Sequence, residues 1–403
     1  MSRSHWESKT VGELVSFSGG SQPPRSTFEN TPRDGYVRLI QIRDYKSSDY
    51  ETYIPRNLAK KFCRKDDVMI GRYGPPIFQI LRGLEGAYNV ALIKAIPNGE
   101  VTKSYLYYFL QQRPIFLMID RLSRRSAGQA GVDLDALREY EFPLPALAEQ
   151  GKISELLNWA SDSVDNFSKL IDFVRERKRG LMQQLVTGQT RFKEFVKSSK
   201  KVKSRYGDFP EDWSQVHMGD IADEAGKKNG GGRELPVLSC TKYHGLVNSL
   251  EYFGKRIFSE DTSTYRIVER GDFAYATNHI EEGSIGYQNL HDAALISPMY
   301  TVFRTKPGVD HEFFWKLIKT ELYRHIFEVN TSGSIARRGA LRWDEFALIK
   351  VFLPTVPEQK RIAAVLNTCD EEIKLLEKQL EALKEQKRGL MQKLLTGEVR
   401  VKL

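Results

Sequence analysis

The sequence predicts a mixed α/β (α+β) fold: two pseudo-symmetric globular units joined by two long helices that pair as an antiparallel coiled coil. Three observations predict it. The chain repeats itself: the run Arg-Lys-Arg-Gly-Leu-Met-Gln-Gln-Leu-Val-Thr-Gly at residues 177–188 returns in close copy at 386–397. The offset is 209 residues, and it holds upstream, where Pro145 matches Pro354, Glu149-Gln150 matches Glu358-Gln359, and Ile153 matches Ile362. Each copy also carries a heptad stripe. Ile153, Leu157, Ala160, Val164, Phe167, Ile171, Val174, Lys178, Leu181 and Leu185 are spaced alternately by four and three. Adding 209 gives Ile362, Leu366, Cys369, Ile373, Leu376, Leu380, Leu383, Lys387, Leu390 and Leu394. Spacing of this kind, sustained over more than four heptads, marks a coiled-coil seam. Finally, the segments ahead of each stripe read as short strands and apolar helices bounded by turn residues.

Both halves open alike. Trp6 is followed by Gly12-Glu13-Leu14, and Trp213 by Gly219-Asp220-Ile221 at the same spacing. Strands are predicted at residues 36–42, 67–70 and 88–93 of the first half. Residues 235–240, 272–275 and 300–303 take the same roles in the second. The offset drifts between them, from 205 for Asp67-Val68-Met69 against Asp272-Phe273-Ala274 to 210 for 90–93 against 300–303. The middles therefore share a skeleton but differ in their loops. Residues 104–110 and 311–318 are aromatic and apolar without alternation, as helices packed on a sheet would be. Pro143 and Pro145, then Pro354 and Pro357, mark the exits from the globular parts.

Each long helix is expected to stop at a Thr-Gly pair, Thr187-Gly188 and Thr396-Gly397, since glycine suits the position just past a helix end. From Ile153 to Leu185 such a helix runs about 50 Å at roughly 1.5 Å per residue. An amphipathic helix lying on its own unit's core gives a similar stripe. The identical phase in both copies favours pairing of the two helices. The predicted organisation is a first globular domain at 1–145, a first spacer helix at 146–190, a basic linker at 191–205, a second globular domain at 206–354 and a second spacer helix at 355–403. In the linker Arg191, Lys193, Lys197, Lys200, Lys201, Lys203 and Arg205 face the single Glu194. A solvated connector is expected there, with a phosphate-contacting strap as the alternative.

A net charge of +9 and a pI near 9.2 suit a polyanionic partner without requiring one. Cys63, Cys240 and Cys369 are scattered, which supports neither a zinc site nor a disulfide framework. A polar start and the lack of a long apolar run point to the cytoplasm, with no membrane partner. Catalytic signatures are missing. The chain has no GxxxxGK[ST], GxGxxG, GxSxG or HExxH run. Gly74-Pro75-Pro76-Ile77-Phe78 lacks the Asn or Asp that opens the adenine-methyltransferase motif. The histidines show no metal-ligand spacing, so no metal is expected. His279 with Glu281-Glu282 is read as a solvated loop.

What remains are basic and polar loops among aromatic residues. The candidate DNA contacts are Arg43, Arg72, Tyr73, Arg82, Arg124 and Arg125 in the first half. In the second they are Lys242, Asn278, His279, Ser332, Ser334, Arg337 and Arg338. Arg and Lys grip phosphates and read guanine, and Asn reads adenine, in the major groove.

These features resemble the specificity (S) subunit of type I restriction–modification systems. The resemblance rests on Pro-x-x-x-Glu-Gln-x-x-Ile at 145–153 and 354–362. It rests also on the Lys-Arg-Gly-Leu-Met-Gln-x-Leu-x-Thr-Gly closure ending at 188 and 397, on Gly271-Asp272-Phe273, and on the tryptophan openings. It implies a non-catalytic DNA reader. Two target recognition domains would each bind one half of a split double-stranded target, with the helices setting the gap. Two methyltransferase subunits would dock on the domains and helices, and restriction subunits would join them. S-adenosylmethionine, ATP and magnesium would belong to those partners, with no cofactor in this chain. The competing expectations are a stand-alone nuclease and a coiled-coil scaffold that reads no sequence.

Overall fold

The computed structural model describes residues 6–124, 131–230, 232–331 and 340–402. It divides into two compact units, Met1–Lys169 with Glu377–Leu403, and Leu170–Leu376. Each unit therefore takes pieces of both long helices, a division that cuts through the helices where the sequence had placed domain edges at 145, 190, 205 and 354.

The first half runs β1 (Glu7–Thr10), α1 (Val11–Leu14), β2 (Val15–Gly19), β3 (Tyr36–Ile40), β4 (Tyr53–Pro55), β5 (Phe62–Cys63), β6 (Val68–Gly71), β7 (Ile80–Leu81), β8 (Gly86–Tyr88) and β9 (Leu92–Pro97). Then come α2 (Lys103–Leu110), α3 (Arg113–Ser123), α4 (Leu134–Arg138), β10 (Glu141–Leu144) and the long α5 (Leu147–Val186). The second half adds a hairpin, β11 (Lys201–Ser204) and β12 (Gly207–Pro210). It then repeats the plan: β13 (Ser214–His217), α6 (Met218–Ile221), β14 (Ala222–Ala225), β15 (Val237–Thr241), β16 (Gly245–Asn248), α7 (Ser249–Phe253), β17 (Arg266–Glu269), β18 (Phe273–Ala276), β19 (Ile285–Tyr287), β20 (Ala293–Ile296) and β21 (Tyr300–Thr305). It closes with α8 (His311–Ile318), α9 (Glu321–Thr331), α10 (Trp343–Ala347), β22 (Lys350–Leu353) and the long α11 (Val356–Leu395).

The repeat survives in the topology. One sheet of the first half has the order β2-β9-β6-β7, and its counterpart is β14-β21-β18-β19. A second sheet, β4-β3-β8-β5, is matched by β16-β15-β20-β17. Each second sheet holds one parallel pair, β3 with β8 and β15 with β20, among antiparallel neighbours. A ribbon joins the opening strand to the strand before each long helix, β1 with β10 and β13 with β22. Ile40 and Tyr88 of one sheet meet Met69 and Leu92 of the other in one apolar cluster. Leu238 and Ile296 meet Ala274 and Val302 in the same way in the second half. The outer face of each first sheet is closed by α2 and α3, or by α8 and α9, and by the ends of the long helices.

Two local expectations change. The predicted strand at 88–93 is two strands in two sheets. Asn89 breaks it: its side chain accepts the Ala91 N–H at 3.1 Å, and the backbone turns there. As a result β9 starts at Leu92 and matches β21 at an offset of 208, not 210. The predicted strand at 36–42 stops at Ile40, because the Asp44 carboxylate takes the Gln41 N–H at 2.9 Å and starts a short 3₁₀ turn over Ile42–Tyr45.

The heptad positions face inward. Ile153, Leu157, Ile171, Ile362 and Leu366 are buried, and Val164, Leu181, Ile373, Leu380 and Leu390 are half-buried. In the first unit Ile153 and Leu157 share a core with Leu390, Leu394 and Leu395. In the second, Leu181, Leu185 and Val186 share one with Ile362 and Leu366. Arg177 bonds Glu372 and Lys178 bonds Asp370, so the numbering rises along one helix as it falls along the other. The helices are antiparallel neighbours and, at their ends, also lie on the unit cores.

The repeated motifs explain themselves here. Gln150 accepts the Thr102 N–H and donates to the Glu100 and Pro145 carbonyls at 2.8 and 3.0 Å, which fixes the turn into α5. Gln359 does the same with Asp310, Gly308 and Pro354. At the far ends Thr187 and Thr396 return their hydroxyls to the Gln183 and Gln392 carbonyls, and Gly188 and Gly397 take φ of 68° and 72°. That is the left-handed end glycine favours.

Arg191 corrects the picture of a solvated linker. Its guanidinium donates to both Glu358 oxygens at 2.8 and 2.9 Å and to Asp212 at 2.6 Å; its side chain is 8% exposed and that of Glu358 1%. Residues 201–204 at the end of the linker pair with 207–210 at the start of the second domain as the β11–β12 hairpin. The counterpart of Arg191 at the 209 offset is Arg400, which donates to both Glu149 oxygens at 2.5 and 2.7 Å. Trp6 also donates to Glu149, at 3.1 Å. The Glu of each Pro-x-x-x-Glu-Gln run is thus held by the arginine that follows the other helix. Among the described residues no helix is long and apolar enough to cross a membrane.

Removing one partner of a buried pair leaves the other charged and unpaired. Arg191→Met should therefore lower the stability of the second unit by about 3–5 kcal/mol in denaturant unfolding. Arg400→Met should cost less, about 2 kcal/mol, because the buried Glu149 it leaves keeps the Trp6 N–H at 3.1 Å and the Arg400 side chain is 38% exposed. Equal losses would show that exposure does not set the strength of the pair.

A pH dependence follows from Asp67. Burial pushes its carboxyl up, but Lys103 at 2.6 Å, the Arg64 N–H and Lys94 at 2.9 Å outweigh this and hold it at about 2, below the usual 3.8. A depressed carboxyl stabilises above its unfolded value and loses that stability as pH falls from about 4 toward 2. Asp67→Asn should cost roughly 2 kcal/mol at pH 7 and much less at pH 2. Calorimetry at both values checks this, and a pH-independent difference would assign the loss to packing.

Candidate nucleic-acid interface

Arg43, Arg72, Tyr73, Lys242, Asn278 and His279 fall on corresponding loops of the two halves. Arg72 and Tyr73 sit in the loop from β6 to β7. Asn278 and His279 sit in the loop from β18 to β19, its structural counterpart. Arg43 lies just after β3, and Lys242 just after β15, which again correspond. Arg124 caps the C-terminal end of α3. Arg125, Ser332, Ser334, Arg337 and Arg338 lie outside the described residues.

Within the second unit these loops form one surface. Lys319, at the C-cap of α8, donates to the Lys242 carbonyl at 2.8 Å and to the Gly283 carbonyl at 2.9 Å, so one ammonium ties both loops. Burial holds its pKa below the usual lysine value, and its charge sits 5.3 Å from the Trp315 ring. The Leu341 N–H donates to the Thr277 carbonyl at 2.9 Å, and the Thr277 hydroxyl to the Met299 carbonyl at 2.9 Å. Lys242 is exposed and lies 5.5 Å over Tyr243. A cavity of about 210 Å³ opens beside Asn278 and His279, lined with Ile257, Phe258, Met299 and Tyr300. Met299 is 64% exposed. His279 stands 3.2 Å from Glu282, and Glu281 lies near enough for one atom of each of the three to fall within 4.8 Å of the others.

The first unit joins its loops differently. Gly71 ends β6 with its N–H donating to the Gln79 carbonyl at 2.8 Å, and the Phe78 N–H returns to the Gly71 carbonyl at 3.1 Å. Arg72 is exposed, its guanidinium 5.3 Å from the Tyr73 ring. Arg43 lies 5.9 Å from the Tyr50 ring and donates to the Tyr50 carbonyl and the Thr52 hydroxyl at 3.2 Å. Arg124 pairs with Asp120 at 2.9 Å but stays largely exposed.

Arg82 stands apart from this surface. It donates to Asn158 of α5 at 2.8 Å and to the Tyr108 hydroxyl at 3.3 Å, and stacks 3.9 Å from the Tyr107 ring. Its bonds tie β7 and α2 to the long helix. Lys319 is the residue the sequence did not single out. Its only sequence signal is a lone lysine after an aromatic helix. The arginines at 191 and 400 were legible in principle, since they keep the 209 offset.

Corresponding loops of a duplicated α+β frame thus carry exposed cations, Arg72 and Lys242, beside aromatic side chains. Comparison with known proteins gives the family. Residues 3–172 and 210–385 match the type I restriction modification DNA specificity domain. The chain is 24% identical to the type I restriction enzyme MjaVIII specificity subunit of Methanocaldococcus jannaschii, over 98% of this chain and 93% of that one. Its fold is similar to a chain from a structure of a type I R-M system, with a TM-score of 0.57 at 15% identity, covering 98% of this chain and 99% of that chain. It is also similar to the type I S subunit from M. genitalium, with a TM-score of 0.53 at 14% identity over 97% and 96%. The chain belongs to the type I restriction–modification DNA specificity family, and its role is DNA sequence recognition.

Proposed function

We propose that each unit reads one part of a split double-stranded DNA target, and that the paired helices set the gap between the parts. The carrying observation is the doubled loop set: the same loops on the same frame, with different side chains at their tips. A shared frame with unlike tips is what two different half-sites require. The chain itself is non-catalytic in this reading. Methyltransferase subunits, two of them, and restriction subunits assemble on it and carry S-adenosylmethionine, ATP and magnesium. The repeated motifs form the invariant frame, which supports a docking role for it.

The tips suggest what each half reads. Arg72 has the fork that fits guanine O6 and N7. Asn278 fits adenine N6 and N7, and the apolar cavity with Met299 and Ile257 beside it suits a thymine methyl. Arg43, Lys242 and Arg124 suit phosphates, which position without specifying.

Selection of bound duplexes from a random pool tests the reading. Two short sequence blocks at constant spacing are expected; enrichment without such blocks would leave only a scaffold. Reproducible Mg²⁺-dependent plasmid cleavage by the purified chain alone would make it a nuclease instead. In the same selection Arg72→Ala should relax one G·C position in one block, and Asn278→Ala one A·T position in the other, each by about 1–3 kcal/mol. A change in both blocks from either variant would show that the loops do not act separately. Deleting seven residues from each long helix keeps the seam in phase and should shorten the preferred gap. An unchanged gap would remove the helices as the ruler.

A further inference from the structure

The two units differ where each receives a helix end. In the second unit the β11–β12 hairpin lays Phe209 flat on Phe352, with ring centroids 3.9 Å apart and planes 3° from parallel. Tyr206, Trp213 and Leu322 join that cluster. Beneath it Thr187 is 6% exposed, and a Cβ added to Gly188 would come within 2.5 Å of Pro210. The counterparts in the first unit are Pro143 for Phe352, Thr396 for Thr187, Gly397 for Gly188 and Trp6 for Trp213. There Thr396 is exposed, and Pro143 and Trp6 are only half-buried. A groove of about 630 Å³ opens beside Thr396, lined by Phe109, Met118, Tyr140 and Pro143, with the exposed Glu139 and Glu141 along it. Among the described residues no hairpin fills it.

The chemistry of the covered surface indicates what the open one accepts. The hairpin over the second unit is basic and aromatic: Lys200, Lys201, Lys203 and Arg205 precede Tyr206 and Phe209-Pro210. At the 209 offset the second unit has Leu348 and Lys350 where the first has Glu139 and Glu141. The open groove thus keeps an apolar floor but gains two carboxylates, which attract a basic segment more strongly than the covered surface does. A hairpin of this kind covers half-buried aromatic and proline surface at little cost in ordering, because its turn already holds the aromatic ring in place.

We propose that this groove docks a segment of a partner protein, one that presents an aromatic side chain beside a proline and is flanked by lysine or arginine. The aromatic ring lies on Pro143 and Tyr140, as Phe209 lies on Phe352, and the cations meet Glu139 and Glu141. The proposal stands independently of which bases the loops read.

A fluorescently labelled peptide of residues 200–213 carries this chemistry and serves as the probe. Titrated onto the full chain, it should bind saturably with Kd on the order of 10–100 µM, read by anisotropy. Glu139→Lys with Glu141→Lys in the chain should weaken binding at least about fivefold. Phe209→Ala in the peptide, which keeps its charge, should do the same. Both glutamates are exposed, so an unchanged thermal transition confirms that the variant is folded. No binding, or binding indifferent to the charge reversal, overturns the proposal. A photo-crosslinker at Gln112, which also lines the groove, in the chain assembled with its methyltransferase subunit, should capture a basic aromatic segment of that partner. Crosslinks to the chain itself or to DNA alone overturn it as well.

Discussion

An arginine that follows one long helix grips the glutamate that begins the other, and each unit is closed by one such grip. Arg400 holds Glu149, and Arg191 holds Glu358. Both glutamates are buried, so each needs its cation wherever the chain places it. The glutamine beside each glutamate saturates the turn into the helix. The Thr-Gly closure brings the chain out of the other helix in the direction that carries the arginine there. Removing any one of these parts leaves a buried polar group unmatched, which is why they recur together.

This arrangement has a topological consequence. A unit made of one repeat alone would lack the tail that closes it, because the closing arginine comes from the other repeat. The compact units cut across both helices for the same reason. The seam carries the division inward: at the helix ends the heptad residues of both helices join the unit core. The two seam lysines show how far the copies have parted. Lys178 finds Asp370, whereas the position equivalent to Asp370 in the first copy is Ser161, and burial holds Lys387 below the usual lysine pKa.

The frame leaves the loops free to differ. Each candidate loop begins where a strand of the fixed skeleton ends, at Gly71 and Ala276, so its position is inherited while its tip is not. The loops are secured by unlike means, backbone bonds of Gly71 with Phe78 and Gln79 in one unit and the half-buried ammonium of Lys319 in the other. Different fastening allows different side chains to be presented from the same place.

The repeat, the seam, the helix stops and the central strands of both halves were determined by the sequence itself, because each is a pattern of period two, three and a half, or 209 in residues that touch near neighbours or their copies. The candidate loops were also legible as clusters of Arg, Asn and aromatic residues. Only the tertiary structure decided which cations are free. Arg72 and Lys242 reach solvent, Arg82 is spent on Asn158 and Tyr107, and Arg191 is buried between Glu358 and Asp212. Composition cannot separate these cases, since all are arginines or lysines in polar surroundings along the chain. The difference lies in partners far away in sequence, 76 residues on for Arg82 and 167 for Arg191. Burial and long-range pairing arise when the chain folds, and there the tertiary structure alone decides which charges belong to the frame and which reach solvent.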